Sequence, residues 1–231
     1  MSGYGQFCPM ALAAEIVGER WTPLILRELF IGARRFNDIH RGVPRISPSL
    51  LSQRLKTLEK AGIVARRRVG GRVSEYALTE AGAELAPVVE GLAVWGKTWM
   101  PATLSRIQAD PDLVMWDMHR HLDLPRLPAE RTVIRFDFTD QPKAKCRRWI
   151  LADRAGAELC ITDPGFAVDL MVTAESRTIV WVWYGDIPLK QALADGSILL
   201  DGPQRLRTAF PSWLMLNPLA PVPRRKPLEA A

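Results

Sequence analysis

The sequence predicts a mixed fold: a helix-rich N-terminal domain closed by a basic hairpin, followed by an α+β C-terminal domain. Three observations predict it. Apolar residues recur at spacings of three and four, punctuated by cap–proline pairs, over about the first hundred positions. Five β-like runs with turn-forming breaks follow residue 130, and short helix-patterned segments come after them. Charge is split in the same way. Residues 34–72 hold eleven Lys and Arg against two acids, a net of +9, while the whole chain carries +6, which leaves −3 for the remainder. A basic module beside a mildly acidic remainder is the asymmetry of a nucleic-acid binder.

The first helix follows Met10, Leu12, Ala13, Ile16 and Val17, and Gly18 ends it. A second follows Leu24, Ile25, Leu29 and Phe30, with Thr22 as its N-cap, Pro23 in its first turn and Gly32 at its end. A short third helix spans 35–41, with Phe36 and Ile39 facing inward. The fourth starts at Ser47-Pro48, again a cap residue followed by proline. Its Leu51, Leu55 and Leu58 fall at i, i+4 and i+7 and form a buried stripe. Ser49, Ser52, Gln53, Lys56 and Lys60 then occupy the other faces. Small hydroxyls, an amide and cations near a helix N-terminus suit a helix in a major groove, where Gln and Ser meet base edges and cations meet phosphates. Taken alone, the same pattern also fits an ordinary surface helix.

The adjoining segment favours the groove. Ala61-Gly62 closes the helix, and 63–69 and 73–78 read as strands around Gly70-Gly71-Arg72, where two glycines supply the positive φ of a tight hairpin. Arg66, Arg67 and Arg68 alternate sides of the first strand, and Arg72 at the tip is placed to reach a minor groove or backbone. Three helices and a basic hairpin in this order make a winged helix-turn-helix.

These residues also carry a family resemblance. The chain from Cys8-Pro9 through Gly18-Glu19-Arg20-Trp21-Thr22 and Gly32-x-x-Arg35-Phe36-Asn37-Asp38-Ile39 resembles the HxlR-type (MarR-related) transcription regulators. So do Ile46-Ser47-Pro48-Ser49-Leu50-Leu51-Ser52-Gln53-Arg54-Leu55-Lys56-x-Leu58-Glu59-x-x-Gly62 and Glu75-Tyr76-x-Leu78-Thr79-x-x-Gly82. The resemblance runs from about residue 7 to 100. It implies a homodimer on double-stranded DNA with a two-fold operator, 47–60 as recognition helix and 66–72 as wing. Arg35 and Arg45 join Ser47, Ser49, Ser52, Gln53, Lys56, Arg66, Arg67, Arg68 and Arg72 as the expected DNA-binding residues. Relatives often carry a proline near the hairpin tip, where this chain has Gly70-Gly71.

Thr79-Glu80 caps a further helix whose Leu85, Val88, Val89, Leu92, Val94, Trp95 and Trp99 form a broad apolar face, with Pro87 expected to kink it. In the family this face pairs with the partner subunit. In some relatives a cysteine preceding the first helix senses oxidants or electrophiles. Cys8 is the corresponding candidate here, with Arg20 and Arg27 as neighbours that would favour its thiolate.

Residues 101–130 are punctuated by proline, with a helix expected at 111–121, and read as a connector. Strands are expected at 132–138, 147–152, 158–161, 168–173 and 178–184. Helices are expected at 187–195 and 204–213, with a short strand at 197–201 between them. Val168-Asp169-Leu170-Met171-Val172 and the segment Gly185-Asp186-x-x-Leu189-x-Gln191-Ala192-Leu193-Ala194-x-Gly196-Ser197-Ile198-x-Leu200-x-Gly202 resemble the sterol-carrier-protein-2 fold. That resemblance covers about 130–215. It implies a five-stranded sheet with helices around an apolar tunnel for lipid-like or other hydrophobic ligands. Trp149, Met171, Trp181, Trp183, Phe210 and Trp213 are the candidate ligand-binding residues, with Arg147, Arg148 and Arg177 available to an acidic headgroup; taken residue by residue, a filled core for the former and a solvated face for the arginines are the more ordinary readings.

The expected domains are therefore 7–100, a connector at 101–130, an α+β domain at 131–217, and a Pro/Arg-rich tail at 218–231. No apolar run reaches the ~18 residues of a membrane span. The N-terminus lacks signal-peptide character, and three scattered cysteines show no metal spacing. A cytoplasmic protein with no metal, no cofactor and no membrane association is expected. No nucleophile elbow or phosphate loop is present, so an enzyme is not expected. The reading is a regulator, a repressor by default, whose C-terminal domain binds a hydrophobic small molecule. The alternative is a redox regulator switched at Cys8, and a lipid carrier or enzyme is a third reading.

Overall fold

The computed structural model describes residues 3–69, 74–100 and 109–225. The chain divides into two compact units, Met1–Ala93 and Val94–Ala231, so the division falls within a helix.

In the first unit, α1 (Pro9–Val17) and α2 (Thr22–Phe30) are followed by α3 (Phe36–Gly42) and α4 (Pro48–Lys60). Strands β1 (Val64–Arg68) and β2 (Ser74–Leu78) form an antiparallel hairpin, followed by α5 (Glu80–Ala83) and the start of α6 (Ala86–Trp99). Ile25, Leu26, Leu29, Ile39, Leu51, Leu55 and Leu58 are buried together, as the three/four spacing requires. Two local expectations are corrected. Trp21, at φ 78, is the flanking residue of α2, and Thr22 is its first helical residue, because the Thr22 amide already donates to Glu19 O at 3.0 Å. Pro87 does not kink a long helix: α5 ends at Ala83, and Pro87 sits second in α6, where its missing N–H has no helical acceptor to lose.

The second unit contains α7 (Pro111–Met118), two 3₁₀ turns, and a five-stranded sheet. The strands are β3 (Thr132–Phe138), β4 (Arg147–Asp153), β5 (Gly156–Cys160), β6 (Leu170–Ala174) and β7 (Ile198–Asp201). Their order is β5-β4-β3-β6-β7, with β3–β6 parallel and every other pair antiparallel. Alternation sends Ile134, Phe136 and Phe138 into the main core, while Val133, Trp149 and Leu151 form a small cluster of their own. The segment read as a connector supplies core: Val114, Met115, Met118, Leu122 and Leu127 are all buried in the main cluster.

One element is overturned. Residues 178–184, expected as a strand, lie in α8 (Ser176–Trp183), which α9 (Leu189–Ala194) follows, with α10 (Gln204–Trp213) after β7. Six consecutive apolar residues carry no period, so β-branched content alone favoured strand. In the fold, Ser176, Ile179, Val182 and Trp183 are buried at helical spacing while Trp181 is only half-buried. Asp140 fixes the helix start. Its carboxylate accepts the Ser176 amide and hydroxyl, each at 2.8 Å, and Gln141 Nε2 donates to the same hydroxyl at 2.8 Å.

Candidate nucleic-acid interface

α4 presents a polar face because its leucines are committed to the core. Ser47 caps it, its Oγ accepting from the Leu50 amide at 3.3 Å, with Pro48 in the first turn. Ser49, Gln53 and Lys56 are exposed and Ser52 half-buried, and Arg45 lies exposed just before the cap. Arg54 is withdrawn from this face by a 2.6 Å ion pair with Glu19. The turn into α4 is held by His40, whose Nε2–H donates to Ile46 O at 2.9 Å.

Below it, Glu28 is fully buried and accepts from Arg27 Nη2 at 2.8 Å, and the same guanidinium nitrogen donates to Gly42 O at 3.0 Å. A Cβ on Gly42 would collide with the Glu28 carboxyl group, so only glycine lets α3 approach that carboxylate. Sequence reasoning missed this clamp. An acid flanked by apolar helix positions was its one available signal.

The hairpin that follows α4 carries further cations. Arg66 faces Tyr76 across the ladder, with its guanidinium 6.0 Å from the ring. Arg67 and Arg68 are exposed and make no ion pair among the described residues. Arg35 bridges onto β2 at Glu75, an exposed 3.8 Å pair, while the Tyr76 amide donates to Arg34 O at 2.8 Å. The loop before α3 thereby becomes a third element of the wing. Arg72 and the Gly70-Gly71 tip lie outside the described residues.

On α6 the expected apolar face splits. Val89 is buried and Leu85 half-buried. Val88, Leu92, Trp95 and Trp99 remain 50, 53, 55 and 40% exposed, at successive spacings of four, three and four that align them on one stripe. Cys8 is exposed at the N-cap of α1. The arginines expected beside it are engaged elsewhere, Arg27 as described and Arg20 over the Trp21 ring at 5.0 Å.

The six ligand candidates of the second unit do not converge. Trp183 and Phe210 line a wholly apolar void of about 10 Å³, together with Met118, Phe136, Leu214 and Leu216. Trp213 is buried with its ring 6.0 Å from that of Phe210, and Trp181 is half-buried on α8. Trp149 packs in the separate small cluster, because strand register puts it opposite Cys160 and beside Val133. Met171 follows the same alternation, its sulfur accepting from Arg135 at 2.7 Å. The expected headgroup arginines have protein partners: Arg148 with Asp112 and Arg177 with Glu175, both at 2.5 Å, and Arg147 with Asp137 at 3.7 Å.

Burial shifts two groups in this unit. His119 is pushed down to about 4, chiefly by desolvation. Lys97, on the last turns of α6, is lowered by burial even though Asp186 opposes the shift. Among the described residues no group of three or more His, Cys, Asp or Glu is arranged to hold a metal, and no helix is long and apolar enough to cross a membrane.

A helical core with one capped polar helix and a cationic hairpin beside it defines the winged helix-turn-helix class. Residues 16–104 match the model of the HxlR-like helix-turn-helix family. Over 99 residues the chain is 36% identical to the HTH-type transcriptional regulator YvaP of Bacillus subtilis, covering 41% of this chain and 91% of that protein. Over 93 residues it is 44% identical to the HTH-type regulator Rv3095 of Mycobacterium tuberculosis, covering 38% of this chain and 57% of that one. Among solved structures, the reduced form of the B. subtilis transcriptional regulator YodB is 35% identical over 40% of this chain and 93% of its own, with a TM-score of 0.36. The chain belongs to the HxlR-like helix-turn-helix family.

Proposed function

We propose that this HxlR-type transcription regulator acts as a homodimeric repressor on a two-fold operator, and that its C-terminal unit admits a neutral, apolar effector. The observation that carries the DNA reading is the exposure of Ser49, Gln53 and Lys56 on α4 and of Arg67 and Arg68 on β1. In this reading Gln53 reads a base edge and Arg67 meets phosphate. The test is a binding titration over salt on specific and random duplexes. Gln53→Ala should lose about 1–3 kcal/mol on the specific site only. Arg67→Ala should weaken both duplexes alike and lower the salt slope by about one. If both variants bind like the parent, α4 is not the reading element.

The exposed stripe Val88–Leu92–Trp95–Trp99 supports pairing with a second copy, since four large apolar side chains on one face await cover. The effector reading is supported by the five-stranded sheet that the sterol-carrier-protein-2-like resemblance implies, and by the apolar wall of the void. At about 10 Å³ the void holds at most one water, against the ~300 Å³ or more of a ligand site, so an effector enters only by moving a wall.

A second reading is favoured by the exposure of Cys8 at the α1 N-cap, where an oxidant can reach the thiol. Equal DNA affinity of oxidant-treated wild type and Cys8→Ser would remove it.

A further inference from the structure

One short stretch of chain, residues 213–225, joins the apolar void to the end of α6. At its start Leu214 and Leu216 wall the void. Leu216 sits at φ 57, a left-handed backbone that a residue with a Cβ adopts at a cost. It is held there by its neighbours. The Met215 amide donates to His121 O at 3.2 Å, and the Asn217 amide to Trp183 O at 2.9 Å. Asn217 Nδ2 donates to Asp117 Oδ2 at 2.9 Å, the same oxygen that accepts Trp183 Nε1 at 2.7 Å. Further on, Ala220 lies against Gly185, where an added Cβ would come within 2.8 Å of Ala220 O and where φ is 72.

The stretch ends on α6. Arg224 donates from Nη1 to Lys97 O at 3.1 Å and Met100 O at 3.3 Å, carbonyls at the C-terminal end of α6 and just past it. Its Nε donates to Asp186 Oδ1 at 2.8 Å. The Arg225 amide donates to Thr98 O at 2.9 Å, and its guanidinium lies 5.0 Å from the Trp99 ring. Lys97, its side chain 3% exposed, pairs with Asp186 at 3.3 Å and donates to Tyr184 O. A buried cation, Lys97, and a half-buried one, Arg224, thus share one carboxylate, and the whole cluster depends on this stretch for Arg224.

We propose that residues 213–225 are a strap that couples the void to α6. A neutral apolar guest enlarges the void by displacing Leu214 and Leu216, which releases the left-handed backbone of Leu216. The displaced strap then loosens the Arg224–Arg225 cap on the helix turn that carries Trp95 and Trp99 of the exposed stripe. This rests on reading the second unit as the effector site and the stripe as the pairing surface.

The strap is tested without a ligand by amide hydrogen exchange on the full chain. Asn217→Ala cuts the void end and Arg224→Ala the helix end. Both should speed exchange at residues 98–100 by about tenfold while β3 keeps its protection. If Asn217→Ala also lowers protection in β3, Leu216→Ala, which removes only a void-lining side chain, makes the same test. Faster exchange confined to 213–219 overturns the coupling. Naphthalene is then titrated into wild type. Faster exchange at 98–100 supports the strap with its guest, whereas no response, when Asn217→Ala does respond, leaves the strap standing and overturns the effector reading.

Discussion

Asp140→Ala is the most informative single change in the second unit, because one carboxylate sets the start of α8. In the folded chain its two oxygens accept the Ser176 amide and hydroxyl at 2.8 Å each. Ser176 is fully buried, so water cannot replace what the variant removes. A hydrogen bond to a charged group contributes about 1.5–3 kcal/mol. Asp140 itself is half-buried, which places each bond near the lower figure, and the sum near 3 kcal/mol includes the favourable meeting of an anion with a helix N-terminus. For a unit of this size that lowers Tm by about 6–12 °C. Tryptophan fluorescence during heating reads the unit selectively, because seven of the eight tryptophans lie in Val94–Ala231. Asp140→Asn should lose less, since its amide oxygen still accepts one bond. A Tm within 2 °C of wild type for Asp140→Ala would refute the claim that this carboxylate decides the helix.

The other expectations test separate parts of the molecule. The His119 imidazole should titrate near pH 4 by NMR; a value above 6 would show that it is not desolvated as the fold requires. Its folded pKa lies below the unfolded 6.5, so the unfolded chain binds more protons between those values. Its contribution is whole above pH 6.5 and is lost as pH falls toward 4, up to about 3 kcal/mol, measurable as a falling urea midpoint that His119→Gln flattens. Gly42→Ala forces a methyl onto the Glu28 carboxylate and should destabilise the first unit by about 1–3 kcal/mol, with loss of specific DNA binding; unchanged exchange protection in α2 and α3 would contradict it. Ser47→Ala should cost about 1 kcal/mol at the start of α4, read as faster exchange of the Leu50 amide.

The first unit was legible because its signals are local. Ser47-Pro48 with leucines at i, i+4 and i+7 specifies a capped helix and its buried side whatever lies opposite, so the exposure of Ser49, Gln53 and Lys56 followed. The arginines of β1 stood out for the same reason, since a two-residue period and a glycine pair need no distant partner. The Glu28–Arg27–Gly42 clamp escaped notice because it joins residues fourteen and fifteen positions apart through a contact that only packing creates.

In the second unit, the strands that alternate were readable and the apolar run at 178–184 was not. A run without a period has no preferred face, and the choice between helix and strand passed to Asp140, 36 residues upstream of Ser176. Register likewise decided the ligand candidates. Aromatic residues in neighbouring strands share a cavity only if pairing turns them the same way, and the ladder turned Trp149 and Met171 away from Phe136. The sequence by itself determined which segments are helices with a capped, polar face, and where the positive charge lies. Only the tertiary structure decided which apolar side chains meet, which arginines are already paired, and how much space is left between them. Those depend on contacts between distant residues, which local periodicity does not encode.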